Sequence, residues 1–409
     1  MRTQYKHMFA AVGLCAALFL LNSCKPIIVK TDKNYIKDDY NFTEITLPEK
    51  HIEPFPTASV DYDHVNNMVF FNFENGQQWS VKNDVWDIAI VVGESADSDS
   101  NGPIYTVTNS GDYGENTRLL PFEDGKDENH YKGKGMKLSD VQQVCFKKGA
   151  TDLSPYQNEP GTHTPVANPF YDALTNGKKY FLRVGKNYDA AKLFVIRFDP
   201  IANVIAGSNY TLHVKPVILG SNKSITDFGT EYTLSGTIDK NYSFNYIKIY
   251  DDRKPTILSE SNGIPKKNDW QLLFMRTNIY SKEMGEVFSN DGIIGSSSIL
   301  TNSPGGVETA ALYGWDFPEV IKVPTDQHFK RIINGVGKGF ANPLKDDPEK
   351  RRKSWYYGLN MPPTFYLTRN TYVFKWEAGS TTKYAKFRPG SFYGPHGEKF
   401  YVQFRYAVK

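Results

Sequence analysis

The chain has 409 residues, with 48 Lys and Arg against 45 Asp and Glu, 40% hydrophobic residues and 23% charged ones. That balance suits a packed globular body and argues against intrinsic disorder, and it gives no electrostatic reason to expect a nucleic-acid partner. Aromatic residues reach 14%, with 26 Tyr and 26 Phe, which favours strands over helices.

In chain order, the first feature is an export signal. Arg2 and Lys6 form a short basic region, no acidic residue precedes Asp32, and an apolar stretch runs from Phe9 to Leu21. At about 13 residues it is short for a bilayer span and typical of a signal peptide. It ends in Leu21-Asn22-Ser23-Cys24, which fits a lipobox. The expectation is a signal peptide over 1–23, cleavage before Cys24, and a diacylglycerol on the Cys24 thiol. Residues 24–55 are polar and carry no clear periodicity, so they read as a lipidated tether to an outer membrane. Of the cysteines at 15, 24 and 145, only Cys145 would stay free, so no internal disulfide is expected.

Removing the first 23 residues leaves 386, long for one core, so two domains are expected. An internal repeat supports this. Asn67–Gln77 reads as strand and turn, followed by the strand that Trp86-Asp87-Ile88-Ala89 opens. The second half repeats the order with Tyr242–Asp252 and with Trp270-Gln271-Leu272-Leu273. Thr108-Asn109-Ser110-Gly111 is echoed by Thr301-Asn302-Ser303, and Pro169-Phe170-Tyr171 by Trp355-Tyr356-Tyr357. Strands at Lys179–Gly185 and Thr371–Trp376 follow, then Ala191–Phe198 and Tyr384–Phe387. Each half closes on an alternating strand, Tyr210–Lys215 and Phe400–Tyr406, with Phe400, Val402, Phe404 and Tyr406 sharing one face. Matched positions are offset by 184 to 194 residues, so insertions fall within a common scaffold. No long amphipathic helix stands out. The fold class is therefore all-β, as two antiparallel β-rich domains over 56–222 and 223–409, each expected to fold by itself. Their boundary is placed in the polar stretch from Gly220 to Asp227.

Other motifs carry less. Asp97, Asp99, Asn101 and Gly102 match the start of a calcium loop, but Thr108 stands where a bidentate Glu is needed, so a polar turn is the simpler reading. Lys350-Arg351-Arg352-Lys353 follows Asp346, Asp347 and Glu349, a solvated mixed-charge loop. No phosphate loop, metalloprotease helix, paired-cysteine motif or nucleophile elbow is present, so the sequence points to a non-enzyme.

The repeated motifs resemble those of the HmuY family. The likeness spans about 57–217 and 231–407, and Trp86-Asp87-Ile88-Ala89 is its most specific match. It implies an all-β lipoprotein of the outer membrane, at the cell surface or on the periplasmic face. By the same likeness the protein binds haem or a related tetrapyrrole and passes it to a TonB-dependent receptor. The likeness places iron ligands on loops between the Thr-Asn-Ser-Gly and aromatic-Tyr motifs. In that interval His130 and His163 are the expected pair, with Met136 as alternative; the second half offers His328 and Met361. The same scaffold also suits a glycan- or peptide-binding lipoprotein, or a structural surface protein.

Overall fold

The computed structural model describes residues 30–31, 36–48, 57–59, 67–92, 104–109, 116–141, 157–158, 165–166, 170–185, 190–280, 293–333, 335–338, 340–341, 348–359, 364–393 and 399–409. The signal segment, Cys24, the Asp97 loop up to residue 103, Cys145, His163 and Met361 lie outside them.

The first half supplies β1 (Lys30–Thr31), β2 (Phe42–Thr46), β3 (Thr57–Ser59), β4 (Asn67–Phe71), β5 (Gln78–Lys82), β6 (Ile88–Val92), β7 (Ile104–Thr108) and β8 (Thr117–Pro121). Helix α1 (Glu128–Lys134) comes next, then β9 (Gln157–Asn158), β10 (Pro165–Val166) and the short helix α2 (Ala173–Asn176). It ends with β11 (Tyr180–Val184), β12 (Lys192–Phe198) and β13 (Asn209–Leu219). The second half begins with β14 (Ile225–Phe228), β15 (Tyr232–Thr237), β16 (Phe244–Lys248), β17 (Thr256–Ile257), β18 (Leu272–Tyr280) and β19 (Ile293–Thr301). It continues through β20 (Glu308–Leu312), β21 (Lys322–Pro324), β22 (Gly337–Lys338), β23 (Phe340–Ala341) and helix α3 (Pro348–Lys353). The last strands are β24 (Tyr356–Leu359), β25 (Thr364–Leu367), β26 (Thr371–Ala378), β27 (Thr381–Tyr393) and β28 (Lys399–Val408). Strand accounts for 47% and helix for 13%, so the all-β expectation holds.

The halves do not stay separate. One sandwich faces the sheet β17-β16-β6-β7 with the sheet β15-β13-β12-β11-β8. The other faces β22-β19-β18-β4-β5 with β20-β26-β27-β28-β3. The two strand orders correspond, with β6 in the place of β18 and β13 in the place of β28, except that β22 has no counterpart in the first unit's inner sheet. Yet β3, β4 and β5 of the first half complete the sandwich of the second, and β15, β16 and β17 complete that of the first. The registers are explicit: Tyr246 opposite Ala89, Leu273 opposite Phe70, and Phe404 opposite Ala58. A cut at residue 222 therefore passes between repeats but through both structural units.

Packing explains the exchange. Ile88, Ile90 and Ile247 point into the first core with Tyr180, Ile196 and Leu212. Val69, Phe71 and Leu272 point into the second with Phe374, Phe387 and Phe404. The opposite faces of the same inner strands, through Phe70, Ala89, Val91, Tyr246, Trp270 and Leu273, meet in a third core between the units. The result is four stacked sheets, the inner two buried on both faces. Strands so placed read as continuous apolar runs, as Ile88–Val92 does. The outer β13 instead alternates, with Tyr210, Leu212 and Val214 buried and the residues between them facing out.

The most specific sequence motif fastens the exchanged strands. The Asp87 amide donates to the Ile247 carbonyl at 3.0 Å. Its carboxylate accepts the Ile249 amide at 2.8 Å and Lys248 Nζ at 3.0 Å. In the other unit the Gln271 amide donates to Phe71 at 2.8 Å, and Gln271 Oε1 accepts the Phe73 amide at 2.8 Å. Asp and Gln thus do one job at equivalent positions. The Asn of each Thr-Asn motif braces the approach to the Trp: Asn109 Nδ2 donates to Trp86 O and Asn302 Nδ2 to Trp270 O, each at 2.8 Å. These two side chains also donate to Asn83 O and Lys267 O respectively.

The expected free tether over 24–55 is largely bound where it is described. Residues 36–48 form a strap across the outer face of the second unit, with Leu47 fully buried beside Leu312, Val320 and Val373. Tyr40 Oη donates to Ala311 O at 2.8 Å, and Trp315 Nε1 donates to Asp38 O at 2.9 Å. β1 pairs in parallel with β25, Lys30 opposite Tyr366. The polar stretch around residue 222 is the corresponding strap of the other unit. Its β14 pairs with β13, and the Ile225 amide donates to Met136 O at 2.8 Å.

Two measurements follow. Fragments 36–222 and 223–409, refolded separately, each lack strands of the sandwich they mostly build, and neither is expected to melt cooperatively. Refolded together they should form a 1:1 β-rich complex by size-exclusion chromatography and circular dichroism. Two monomeric fragments that each melt cooperatively alone would show the exchange to be dispensable. The second concerns Asp87, whose carboxyl is pushed above its usual range by burial, against the pull of Lys248 and the Ile249 amide. The folded chain therefore holds this proton more tightly than the unfolded one, and its contribution to stability falls as pH rises past 3.8. In denaturant titrations from pH 3 to pH 7, Asp87→Asn should gain stability relative to wild type as pH rises. A difference constant with pH would contradict this.

Candidate functional site

His130 and Met136 belong to the cover over the outer face of the β8-β11-β12-β13 sheet. Helix α1 starts where the Asp127 side chain accepts the His130 amide at 3.1 Å and stops at Gly135, whose φ of 68° suits a residue without Cβ. Glu128 in its first turn and Lys132 and Lys134 in its last complement the helix dipole. Its inner side drops Tyr131 onto Phe122 and Phe181, with ring centroids 4.6 and 5.0 Å away. Tyr131 Oη accepts the Glu123 amide at 2.6 Å. Ion pairs tie the helix to the sheet and the strap, Lys179 to Glu128 at 2.9 Å and Lys132 to Asp227 at 3.2 Å. The helix is thus a fixed platform.

His130 stands on that platform with its side chain one-third exposed at 33%. Its ring meets Tyr131 edge-on at 5.2 Å, and Nε2 lies 3.9 Å from Glu123 Oε2, beyond hydrogen-bond length. That nitrogen is shielded from solvent and finds no hydrogen-bond partner among the described residues. The Glu123 carboxyl is held below its usual range, by Lys134 first and less by His130.

Met136 is placed differently from the expectation of a loop ligand. Only 6% exposed, it packs with Phe122, Tyr131, Leu138, Phe181 and Ile225. Its thioether is core filling beneath the helix. His328 lies in the second unit, away from α1, in a short turn at Asp326–His328. Its Nε2 accepts the Asn41 amide at 3.1 Å and its ring meets Tyr40 edge-on at 5.1 Å, so it fastens the strap. His163 and Met361 lie outside the described residues.

One histidine escaped the sequence reading. His213, on the outward side of β13, sets Nε2 3.1 Å from Asp199 Oδ2 and Nδ1 2.9 Å from Glu231 Oε1. Arg197 reaches Asp199 at 2.6 Å, and Lys215 lies near both Glu231 and Glu128. The Asp199 carboxyl is lowered, chiefly by the His213 hydrogen bond and also by Arg197. The contacts join β12, β13 and the start of exchanged β15. Alternation alone would have placed His213 on a polar face, but carboxylates 14 and 18 residues away leave no local signal. Among the described residues no group of three or more His, Cys, Asp or Glu side chains could hold a metal ion.

Set against known proteins, the chain matches no family model, no curated protein and no solved structure. The motifs of the HmuY likeness are scaffold parts here. Trp86 and Trp270 fill the core between units, Phe170 the first core and Trp355 the second.

A packing role for Met136 has a measurable consequence. Met136→Ala should cost about 2–5 kcal/mol of stability, as buried Met truncations do, and leave any haemin spectrum of the folded protein unchanged. A stable variant with an altered spectrum would restore Met136 as a ligand.

Proposed function

We propose that the protein is an exported, lipid-anchored binding protein of the outer membrane that takes haem or a related tetrapyrrole on its first unit. His130 is one axial ligand and His163 the candidate second. One observation carries this: the His130 side chain is one-third exposed and its Nε2 has no hydrogen-bond partner among the described residues, on a helix whose backbone is capped and pinned. The His130 Nε2 is not used in a hydrogen bond by any described group, and haem iron accepts imidazole nitrogens at its axial positions. The neighbouring Phe122, Tyr131 and Phe181 cluster gives the platform an apolar underside. Transfer to a TonB-dependent receptor and the outer-membrane location rest on the family likeness and the lipobox.

Within this reading the second unit is not a second equivalent site, because Asn41 occupies His328 Nε2. Haemin titration of the mature protein, His130→Ala, His163→Ala and the double variant decides the matter. A shifted Soret band in wild type, with an affinity loss of about tenfold or more in each single variant, is expected. An unchanged band in the double variant would remove both residues. No binding by the intact protein would remove haem and leave a glycan or peptide ligand as the alternative.

A further inference from the structure

We infer that His213 is a proton-controlled latch on the first unit: its charged imidazole ties the exchanged strand β15 to β12 and β13, and loss of the proton loosens that seam. The inference depends on neither the lipid anchor nor the identity of a ligand.

Geometry fixes the protonation state of the closed latch. Nε2 lies 3.1 Å from Asp199 Oδ2, and Nδ1 lies 2.9 Å from Glu231 Oε1. An ionised carboxylate only accepts hydrogen bonds, so both ring nitrogens must donate, and only the imidazolium carries two N–H groups. A neutral ring keeps one bond and turns a lone pair on the other carboxylate. Histidine is the side chain that changes charge between about pH 5 and 8. The bridge is therefore complete in mild acid and half broken in mild base. The Asp199 carboxyl is held below its usual range, chiefly by the His213 hydrogen bond, and stays an acceptor throughout that interval.

The latch sits where the chain passes from strap to exchanged strand. β14 ends at Phe228, the Gly229 amide donates to Pro216 O at 2.8 Å, and Glu231 immediately precedes β15, whose Thr233 lies opposite His213 itself. Among the described residues, charged neighbours reach this point from each surrounding element. Arg197 of β12 holds Asp199 at 2.6 Å, and Lys215 of β13 lies 3.7 Å from Glu231 and 3.4 Å from Glu128 of α1. Lys179 also pairs with Glu128, and Lys132 of α1 pairs with Asp227 of the strap. Arg197 and Lys215 share the two carboxylates with His213, so loss of its proton weakens the seam without opening it. Through Lys215 the same change reaches Glu128 and the helix that carries His130.

The second unit contains a natural control. There β28 takes the place of β13, and Arg405 follows the core residue Phe404 as His213 follows Leu212. Arg405 lies opposite Arg388, which pairs with Asp316, just as His213 lies opposite Arg197, which pairs with Asp199. Arginine is always charged in a protein. One copy of the repeat thus carries a fixed cation at this position and the other a titratable one.

The test is amide hydrogen exchange of the mature protein, read by mass spectrometry on peptides covering β15 and β28, with intrinsic rates corrected at each pH. Between pH 5.5 and pH 8 the protection of β15 should fall about fivefold, the upper end for one partly exposed ion pair, while β28 holds level. His213→Arg should keep β15 equally protected across the range, and His213→Gln should leave it weakly protected at both ends. Protection of β15 that is flat or rises with pH in the wild type would overturn the latch, whether or not the variants fold. An undiminished fall with pH in His213→Gln would overturn it as well, because another group would then be responsible.

Discussion

Two inner sheets with apolar side chains on both faces govern the rest of this molecule. Such a sheet cannot close a sandwich with one partner and stop, because its second face would remain in water at roughly 25 cal/mol for each Å² of apolar surface. Phe70, Ala89, Tyr246 and Leu273 cover each other across the middle, and Phe71, Ile88, Ile247 and Leu272 fill the flanking cores. Four sheets are the smallest stack that satisfies both faces.

The exchange of β3–β5 with β15–β17 follows from the same demand. Strands that belong to one repeat complete the other's sheets, so the connections at 83–87 and after β17 pass through the shared middle. The residues that guide them are polar and buried. Asp87 and Gln271 accept the amides of Ile249 and Phe73, and Asn109 and Asn302 brace the turns before each Trp. An unpaired buried amide costs about 1–3 kcal/mol, which makes these positions choosy about a side chain with an acceptor and tolerant about its charge. That is why Gln can stand where the other unit has Asp.

The straps set the two units apart. β14 packs against α1 and helps hold a platform on which His130 keeps an uncommitted nitrogen. The N-terminal strap lies over the second unit and uses His328 as an anchor point. One repeat, used twice, thus gives one outer face covered by a helix and one covered by the strap of residues 36–48.

Much of this was legible in the sequence. The all-β class, the internal repeat and the equivalence of Trp86 with Trp270 follow from local patterns, because periodicity and turn residues act over a few positions. The motif Asn109 was visible as well, though not what its amide would brace. Three things were decided only by the tertiary structure. Which repeat each strand completes depends on pairings across 150 residues and more, such as Ala89 with Tyr246, and both closures bury the same residue types. The strap looked like a tether because its partners lie in a distant unit, the Ala311 carbonyl for Tyr40 Oη and His328 Nε2 for the Asn41 amide. Met136 looked like a ligand because a Met between two loops has no sequence mark of burial; only the approach of Ile225 and Phe181 encloses it. Local chemistry specifies elements, and the competition among faces for burial, a property of the whole chain, selects their partners.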